Sequence, residues 1–336
     1  MRRLTVAFVI SALVLLVLAV WQPGWVAAGT LAAALNASSV ILGCLLLGLI
    51  TPLIRGRWQL LLAPGTRLGL SGIWLIVPML LPVLLGMAWL YPWFHVHDVG
   101  FRGVWLSPGF FMLRTLLYGV VFIVLQRWVV EQRRKRCGPG LIIFVLVSSL
   151  SAVDWLMSLQ QGFASSLFGL LLIARQLLAG LAFCGLCVLC WNPLPLPVQQ
   201  RTVLRGLLVS ALAFWVYVQF MQYLIVWSVN LAHETQWYRV REQGGWGVLT
   251  GLLVVAQLLC LLVLASPVGH RERMLIRGCC VILLLGAVES IWMSLPSVLT
   301  SMEVGPLLIA LLCQVVYGLG LWAWWQRLWQ RRRHET

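Results

Sequence analysis

The sequence predicts an all-α polytopic membrane protein with about ten transmembrane helices. We expect two parallel-repeat four-helix bundles plus one flanking helix at each end of the chain. Apolar residues make up 61% of the 336 residues and charged residues only 10%, and the mean hydropathy is +0.95. This balance excludes an ordinary soluble domain. A run of long apolar segments and an internal repeat supply the rest of the prediction.

Ten apolar segments have about 20 residues each, the length that the hydrocarbon core of a bilayer requires. We place them at 4–22, 27–53, 69–91, 108–130, 139–159, 164–191, 203–228, 246–265, 274–295 and 304–326. The first segment also resembles a signal peptide. Its length and the charge pattern favour an uncleaved first helix.

The basic residues separate onto one side of these segments. Of the 24 Arg and Lys residues, nineteen fall in segments that are cytoplasmic if the N-terminus is inside, and three fall in exterior loops. The remaining two, Arg114 and Arg175, lie within apolar segments. The bias follows the positive-inside rule and predicts that both termini are cytoplasmic. The same bias accounts for the net charge of +15. We therefore expect the lipid bilayer, and no nucleic acid, as a partner.

The chain repeats one plan at an offset of 135 residues. Residues 151–159 read SAVDWLMSL, and residues 287–295 read AVESIWMSL. Each repeat consists of four segments and carries its phrase in the last of them. Because four is even, both repeats enter the membrane in the same orientation. The predicted division is 1–26 for the first transmembrane helix, 27–160 for the first bundle, 161–297 for the second bundle, and 298–336 for the last helix and a basic cytoplasmic tail.

Each repeat places one acid, Asp154 or Glu289, inside an apolar segment. An ionisable side chain there is costly, so each acid is a functional-site hypothesis. Ser148 and Ser151 share a helical face with Asp154 and predict a polar path toward it for protons. The part of the helix on the cytoplasmic side of Glu289 has no such polar stripe. This favours a structural role or a terminal proton-loading role for that acid.

Arg114 and Arg175 are the candidate charge partners within the membrane. Ion pairs with the two acids would hold the bundles together and relieve the cost of each buried charge. Depth along the helices puts Arg114 nearest to Glu289. Proton handling and direct coordination of a substrate remain open as alternatives to this structural role.

The seventh helix and the loop after it supply further candidates. Gln222 and Tyr223 could belong to a proton path, although hydrogen bonding between helices explains them equally well. The exterior loop carries residues that either dock a partner protein or form an interfacial aromatic belt. These residues are Asn230, His233, Glu234 and Trp237.

We expect no catalytic residue, metal site or cofactor of its own in this chain. None of the five histidines lies in the middle of an apolar segment, so paired axial haem ligands are missing. Cys184, Cys187 and Cys190 are three residues apart, but steps of three rotate away from one helical face. Buried cysteine also serves commonly in packing.

Several motifs together resemble the F subunit of bacterial alternative complex III. The residues that carry the resemblance are 220–230 (FMQYLIVWSVN), Glu234, 237–238 (WY), 245–246 (GW), 154–159 (DWLMSL), 168–169 (FG), and 289–296 from Glu289 through Trp292 to Pro296. The resemblance covers residues 105–300 well and is weak before them.

The resemblance implies a membrane subunit of the NrfD/polysulfide-reductase type, with two four-helix bundles and flanking helices. Such a complex of the bacterial inner (cytoplasmic) membrane oxidises quinol in the respiratory chain and passes electrons to cytochrome c or an oxidase. The expected partners are a homologous quinol-binding membrane subunit, an iron–sulfur subunit and a multihaem cytochrome c subunit. Quinol, iron–sulfur clusters and c-type haem then belong to those partners, and this non-redox subunit contributes a proton path.

Two alternatives to this function remain open. One is a secondary transporter with parallel repeats, although the expected breaks in matching helices are missing from the sequence. The other is a subunit that itself binds quinol in a cleft lined by aromatic and apolar residues.

Overall fold

The computed structural model describes residues 2–54, 56, 58–96, 100–191, 195–299 and 302–335, with no side-chain description at 2–5, 329 and 331–335. The basic tail predicted at Arg331–Arg333 therefore lies outside the described side chains. The α-helices are α1 (Arg2–Trp21), α2 (Pro23–Ile50), α3 (Trp58–Leu70), α4 (Ile76–Leu85), α5 (Met87–Leu90), α6 (Phe101–Trp105), α7 (Pro108–Val130), α8 (Arg134–Trp155), α9 (Phe168–Trp191), α10 (Val198–Val229), α11 (Ala232–Glu242), α12 (Gly245–Ala265), α13 (Glu272–Ser294) and α14 (Val304–Glu335).

The all-α polytopic prediction is confirmed. Nine helical stretches in the described part of the chain are long and apolar enough to cross a membrane, and α1 adds the shorter apolar stretch Val6–Trp21. Consecutive spans alternate in direction and define two ends. The C-termini of α2, α7, α9 and α12 lie at the end that we call basic, and the C-termini of α4, α8, α10 and α13 lie at the opposite end.

The third span differs from the prediction. The structure places it at Trp58–Leu85, whereas hydropathy alone predicts 69–91. The span consists of α3 and α4 joined by a short 3-10 turn at Ile73–Leu75. Arg67 interrupts the apolar run in the sequence but lies inside α3, where its side chain lines a cavity. The matching span of the second repeat, α10, is continuous.

The two repeats pack around a central pair of helices. Helix α2 lies along α9, and nearly all of their side chains are buried. Helix α8 packs on α9 as α13 packs on α2, and α7 packs on α8 as α12 packs on α13. We call α2–α8 the first unit and α9–α13 the second unit. Helix α14 packs along α2, and α1 packs against both of them.

A matched hydrogen bond marks the equivalent positions of the two units. The indole nitrogen of Trp155 donates to Thr115 Oγ1 at 3.4 Å in the first unit. In the second unit, the indole nitrogen of Trp292 donates to Thr250 Oγ1 at 2.7 Å. Each bond joins the helix that carries the buried acid (α8 or α13) to the adjacent helix (α7 or α12). Both bonds lie near the opposite end of the spans.

Two glycines allow α2 and α9 to approach closely. A Cβ atom on Gly180 would lie 2.4 Å from the carbonyl carbon of Gly43, and one on Gly43 would lie 1.9 Å from the carbonyl oxygen of Gln176. Both obstructions are backbone atoms, so only a separation of the helices would relieve them. Small residues at such crossings are typical of helix packing within membranes.

We therefore expect Gly180→Ala to destabilise the protein by about 1–3 kcal/mol, the usual cost of overpacking. Gly251→Ala is the matched control, since a Cβ there meets no atom within 4 Å. Thermal unfolding of both variants in the same detergent measures the difference. Equal midpoints for the two variants would show that the crossing tolerates a methyl group.

Candidate functional site

Asp154 lies one residue before the end of α8 and is completely buried. Arg114 of α7 donates to it twice, from Nε to Oδ2 at 2.8 Å and from Nη2 to Oδ1 at 2.9 Å. The Tyr118 hydroxyl donates to Oδ2 at 2.7 Å, and the Trp105 indole nitrogen donates to Oδ1 at 3.1 Å. These four bonds match the approximate capacity of the two carboxylate oxygens.

Aromatic rings enclose the Arg114 side of this ion pair. The Arg114 guanidinium carbon lies 4.1 Å from the centre of the Trp105 ring and 4.6 Å from that of Phe110. Its Nη1 atom donates to the Trp105 carbonyl oxygen at 2.6 Å. Bidentate geometry and cation–π contacts both stabilise a desolvated arginine. The Asp154 site is thus a closed and internally compensated ion pair.

The depth argument that puts Arg114 nearest to Glu289 is wrong, because Arg114 pairs with Asp154 instead. Both residues belong to the first unit, where α7 and α8 are neighbours. Glu289 belongs to the second unit and faces different helices. Chain depth specifies only the position along the membrane normal, whereas helix packing decides which side chains meet.

The serine stripe below Asp154 does not form a hydrogen-bonded path to it. The Ser151 hydroxyl donates to the carbonyl oxygen of Ser148 at 2.9 Å, and Ser148 Oγ has no partner among the described residues. The Ser158 hydroxyl likewise donates to a carbonyl oxygen four residues earlier, that of Asp154. Serine in a helix commonly bonds a carbonyl three or four residues earlier, which uses up the donor that a path would need.

Glu289 is also buried, but neutral amides surround its carboxyl group instead of a direct cation. The Gln219 amide of α10 donates to Glu289 Oε1, and the Gln257 side chain of α12 hydrogen-bonds to the same group. In the described part of the chain, no basic side chain lies within ion-pair distance of this carboxyl. An amide can bond to either protonation state of a carboxyl group, since it offers both a donor and an acceptor.

A cavity of about 350 Å³ opens on one side of Glu289. Its walls come from α10, α11, α12 and α13 and extend toward the opposite end, where Glu242 lies at the rim. Aromatic rings form much of the wall. Tyr223 and Tyr238 meet edge to face at 5.2 Å, and Trp237 meets Trp292 edge to face at 5.3 Å.

A second, small cavity of about 20 Å³ lies on the inner side of Glu289, among α2, α9, α10, α12 and α13. It also touches Arg175 and Asn36. The volume is sufficient for one water molecule, and the lining is polar enough to bind it. Glu289 therefore stands between a large aromatic cavity and a small one that it shares with Arg175 and Asn36.

Arg175 is held near this inner cavity by uncharged groups. Its Nη2 atom donates to the Gly286 carbonyl oxygen at 2.6 Å and Nη1 contacts Met293 Sδ at 3.7 Å, while Nε has no partner among the described residues. Because Arg175 and Glu289 share the cavity without a direct bond, their charges interact over a longer distance than those of Arg114 and Asp154.

A buried polar chain continues from the inner cavity toward α14. The Asn36 amide donates to Gln314 Oε1 at 3.1 Å, and the Gln314 amide donates to Ser290 Oγ at 2.8 Å. Ser290 is the neighbour of Glu289 in α13. This chain ties three helices together at the level of the acid, and it does not reach the basic end through any described hydrogen bond.

At the opposite end, the carbonyl groups of Trp155 and Trp292 accept hydrogen bonds from different kinds of residue. The Tyr91 hydroxyl donates to the Trp155 carbonyl oxygen at 3.1 Å, while Arg241 Nε donates to the Trp292 carbonyl oxygen at 3.2 Å. Both donor residues are buried. Burial raises the pKa of the Tyr91 hydroxyl and lowers the pKa of the Arg241 guanidinium. Arg241 is compensated by carbonyl oxygens and by the Trp237 ring, whose centre lies 3.5 Å from its guanidinium carbon.

The four residues predicted either to dock a partner or to form an aromatic belt fall into two groups by the exposure of their side chains. Asn230 and His233 are exposed and Glu234 is partly exposed, so these three are accessible at the opposite end. Trp237 is only 2% exposed, because it packs against Phe163 and Trp292. Trp237 therefore presents almost no side-chain surface to a partner, in contrast to the other three candidates.

Gln222 and Tyr223, the two candidates of the seventh predicted segment (α10), lie on different faces of the helix. Tyr223 lines the aromatic cavity together with Gln219, which lies one turn earlier on the same face of α10. Gln222 is buried on a different face and accepts a hydrogen bond from the Ser165 hydroxyl at 2.7 Å. Gln222 thus fastens α10 to the loop after α8 and does not reach Glu289.

Sequence reasoning missed Gln257, Arg241 and Trp105. Gln257 is a single amide in a strongly apolar helix, and that isolation was a usable signal, since polar residues in spans usually face the protein interior. Arg241 and Trp105 follow ordinary loop patterns. Nothing local distinguishes them from exposed interfacial residues.

Among the described residues, no group of three His, Cys, Asp or Glu side chains could hold a metal ion. Comparison with protein-family models and with curated protein sequences found no match. The chemistry of the site therefore rests on its geometry, and the resemblance noted in the sequence remains a hypothesis.

Proposed function

We propose that this chain is a non-redox membrane subunit of a respiratory quinol:cytochrome c (or oxidase) oxidoreductase, and that it carries protons through Glu289. The observation that supports this role is the position of Glu289 between the two cavities. A carboxyl group held by neutral amides can gain and lose a proton without breaking an ion pair. The aromatic cavity gives it access from the opposite end, and the inner cavity offers room for a water molecule on the other side.

The first unit supports the same assignment by contrast. Asp154 occupies the equivalent place but is bound by Arg114 and three further bonds, so protonating it would disrupt the pair. Two repeats from one plan thus carry one closed acid and one accessible acid. Proton traffic requires the accessible one.

The proposed complex includes a homologous quinol-binding membrane subunit, an iron–sulfur subunit and a multihaem cytochrome c subunit, which would hold the redox cofactors. We place it in the bacterial inner membrane with both termini of this chain in the cytoplasm, as the charge bias favours. Asn230, His233 and Glu234 would face the partners at the exterior side. The exposed position of these three residues is compatible with docking.

Affinity purification from native membranes tests the proposal. A tag on this chain is expected to retain subunits with c-type haem and iron–sulfur spectra, and deletion of those partners should lower its level in the membrane. A stable, monodisperse monomer without redox partners would instead favour a transporter.

The aromatic cavity favours a second candidate function, in which this chain itself binds quinol. Its volume of about 350 Å³ lies within the range of small-molecule sites, which are mainly apolar with a few convergent polar groups. Here those groups are Gln219, Gln257 and Glu289. Oxidation of a quinol releases two protons and two electrons. Glu289 would accept the proton of the hydroxyl at this wall, the second proton would pass to water, and both electrons would pass to a redox centre in a partner subunit.

Labelling with a photoreactive quinone distinguishes this candidate. Val254→Trp should reduce labelling by about tenfold, because Val254 lines the cavity and the larger side chain would fill it. Val255→Trp is the matched control, since Val255 is a comparably exposed neighbour on α12 outside the cavity wall. Equal labelling of both variants would place the quinone elsewhere.

A further inference from the structure

One cation inside a membrane span has no counter-charge in the described part of the chain. Arg67 lies in α3, about 14 Å beyond Trp58 along the helix axis. Its side chain is exposed, and no described acid forms an ion pair with it. Uncompensated charge within a span is costly, so a partner from outside this chain would be stabilising.

Arg67 lines a cavity of about 830 Å³ at the basic end of the first unit. The wall contains a second cation, Arg134, and no acid. Arg134 Nε donates to the Pro52 carbonyl oxygen at 3.0 Å, which fixes the side chain while its two terminal nitrogens have no described partner. The cavity therefore has two positive charges and free donors.

Three neighbouring arginines differ from Arg67, because the guanidinium group of each already contacts an aromatic ring or an acid. The contacts are Arg127 over Trp74 at 5.8 Å, Arg136 over Trp128 at 5.4 Å, and Arg133 paired with Glu131. Arg67 and Arg134 are therefore the cations that line the cavity, whereas these three neighbours contact a ring or an acid.

The position of the cavity identifies the chemistry of its occupant. Side chains on a helix tilt toward its N-terminus, so Arg67 extends toward the basic end, where lipid headgroups lie. The same face of α3 exposes Leu60 and Pro64, and Leu60 is 79% exposed. The cavity is thus continuous with an apolar surface that suits acyl chains. A free anion would gain nothing from that surface.

We propose that this cavity binds the phosphate group of an anionic phospholipid from the leaflet at the basic end. The phosphate would accept charge-assisted hydrogen bonds from Arg67 and Arg134, while the acyl chains would lie along the exposed face of α3. Basic pockets between spans at a membrane surface are suited to such headgroups. This site is separate from Glu289 and independent of the proposed function.

The test uses the full chain, or its complex, in nanodiscs of phosphatidylcholine with increasing phosphatidylglycerol. Retained phosphatidylglycerol is measured by native mass spectrometry after mild delipidation. Arg67→Gln and Arg134→Gln are each expected to lower apparent affinity for phosphatidylglycerol about tenfold, and Arg67→Lys should retain most of it. Arg136→Gln is the matched control, since it removes one charge outside the cavity and should change little.

Two further arms decide the source of the ligand and guard against misfolding. Inorganic phosphate, titrated into the phosphatidylcholine sample, should not raise the thermal midpoint as phosphatidylglycerol does; equal stabilisation by phosphate would overturn the lipid assignment. Ala63→Phe narrows the cavity with both arginines present and should also weaken retention. If Arg67→Gln and Ala63→Phe bind phosphatidylglycerol like Arg136→Gln, the cavity is a hydrated vestibule and the proposal is wrong.

Discussion

Asp154→Asn is expected to remove most of the folded protein from the membrane. The change leaves Arg114 buried at 5% exposure without its counter-charge, and breaking one partner of a buried ion pair typically costs about 3–5 kcal/mol. The yield of monodisperse protein, followed by size-exclusion chromatography after solubilisation, measures the effect. Thermal unfolding of any surviving fraction gives its magnitude.

The control for this prediction removes both charges at once. Asp154→Asn combined with Arg114→Gln should recover part of the yield, because no buried charge is then left unpaired. Wild-type yield for Asp154→Asn alone would contradict the assignment of this pair to stability. It would also reopen the first-unit acid as a site of proton transfer.

Glu289→Gln is expected to leave the fold largely intact and to abolish most proton-coupled turnover. Glutamine can still hydrogen-bond to Gln219 and Gln257, and Arg175 keeps its bond to the Gly286 carbonyl oxygen. The lost group is the one that we propose exchanges a proton. Loss of a positioned proton-transfer group typically slows a reaction by about 10²–10⁴-fold. Quinol oxidation and proton release by the proposed complex in liposomes measure the effect.

Glu289→Asp serves as the matched variant for this test. It retains a carboxyl group at the same site and should keep a measurable part of the proton release. Wild-type proton release in Glu289→Gln would remove Glu289 from any path. A collapse of yield comparable to that of Asp154→Asn would show instead that Glu289 is the necessary counter-charge of Arg175.

The two acids illustrate how a duplicated plan can diverge. Trp155 with Thr115 and Trp292 with Thr250 make the same hydrogen bond in the two units, so the framework is shared. The partners of the acids differ, since the first unit supplies an arginine from α7 and the second supplies a glutamine from each of α10 and α12. One unit can therefore supply rigidity while the other supplies accessible chemistry.

Sequence by itself determined the all-α membrane class, the position of nearly every span and the presence of two acids at matching places. These properties depend on length and local composition, because a bilayer demands about 20 apolar residues for each crossing and makes buried charges rare. The third span is the exception. Its boundary was displaced because Arg67 looks like a loop residue when only hydropathy is considered.

The tertiary structure alone decided which partner each acid has. Depth along a helix says how far a residue lies from the membrane surface, but rotation and packing say which neighbour it faces. Arg114 therefore pairs with Asp154, and Gln219 reaches Glu289 while Gln222 does not. Trp237 is buried although it lies in α11, in the connection between two spans at the opposite end. The cavities on either side of Glu289 arise where side chains from several packed helices meet, so no local pattern could have predicted them.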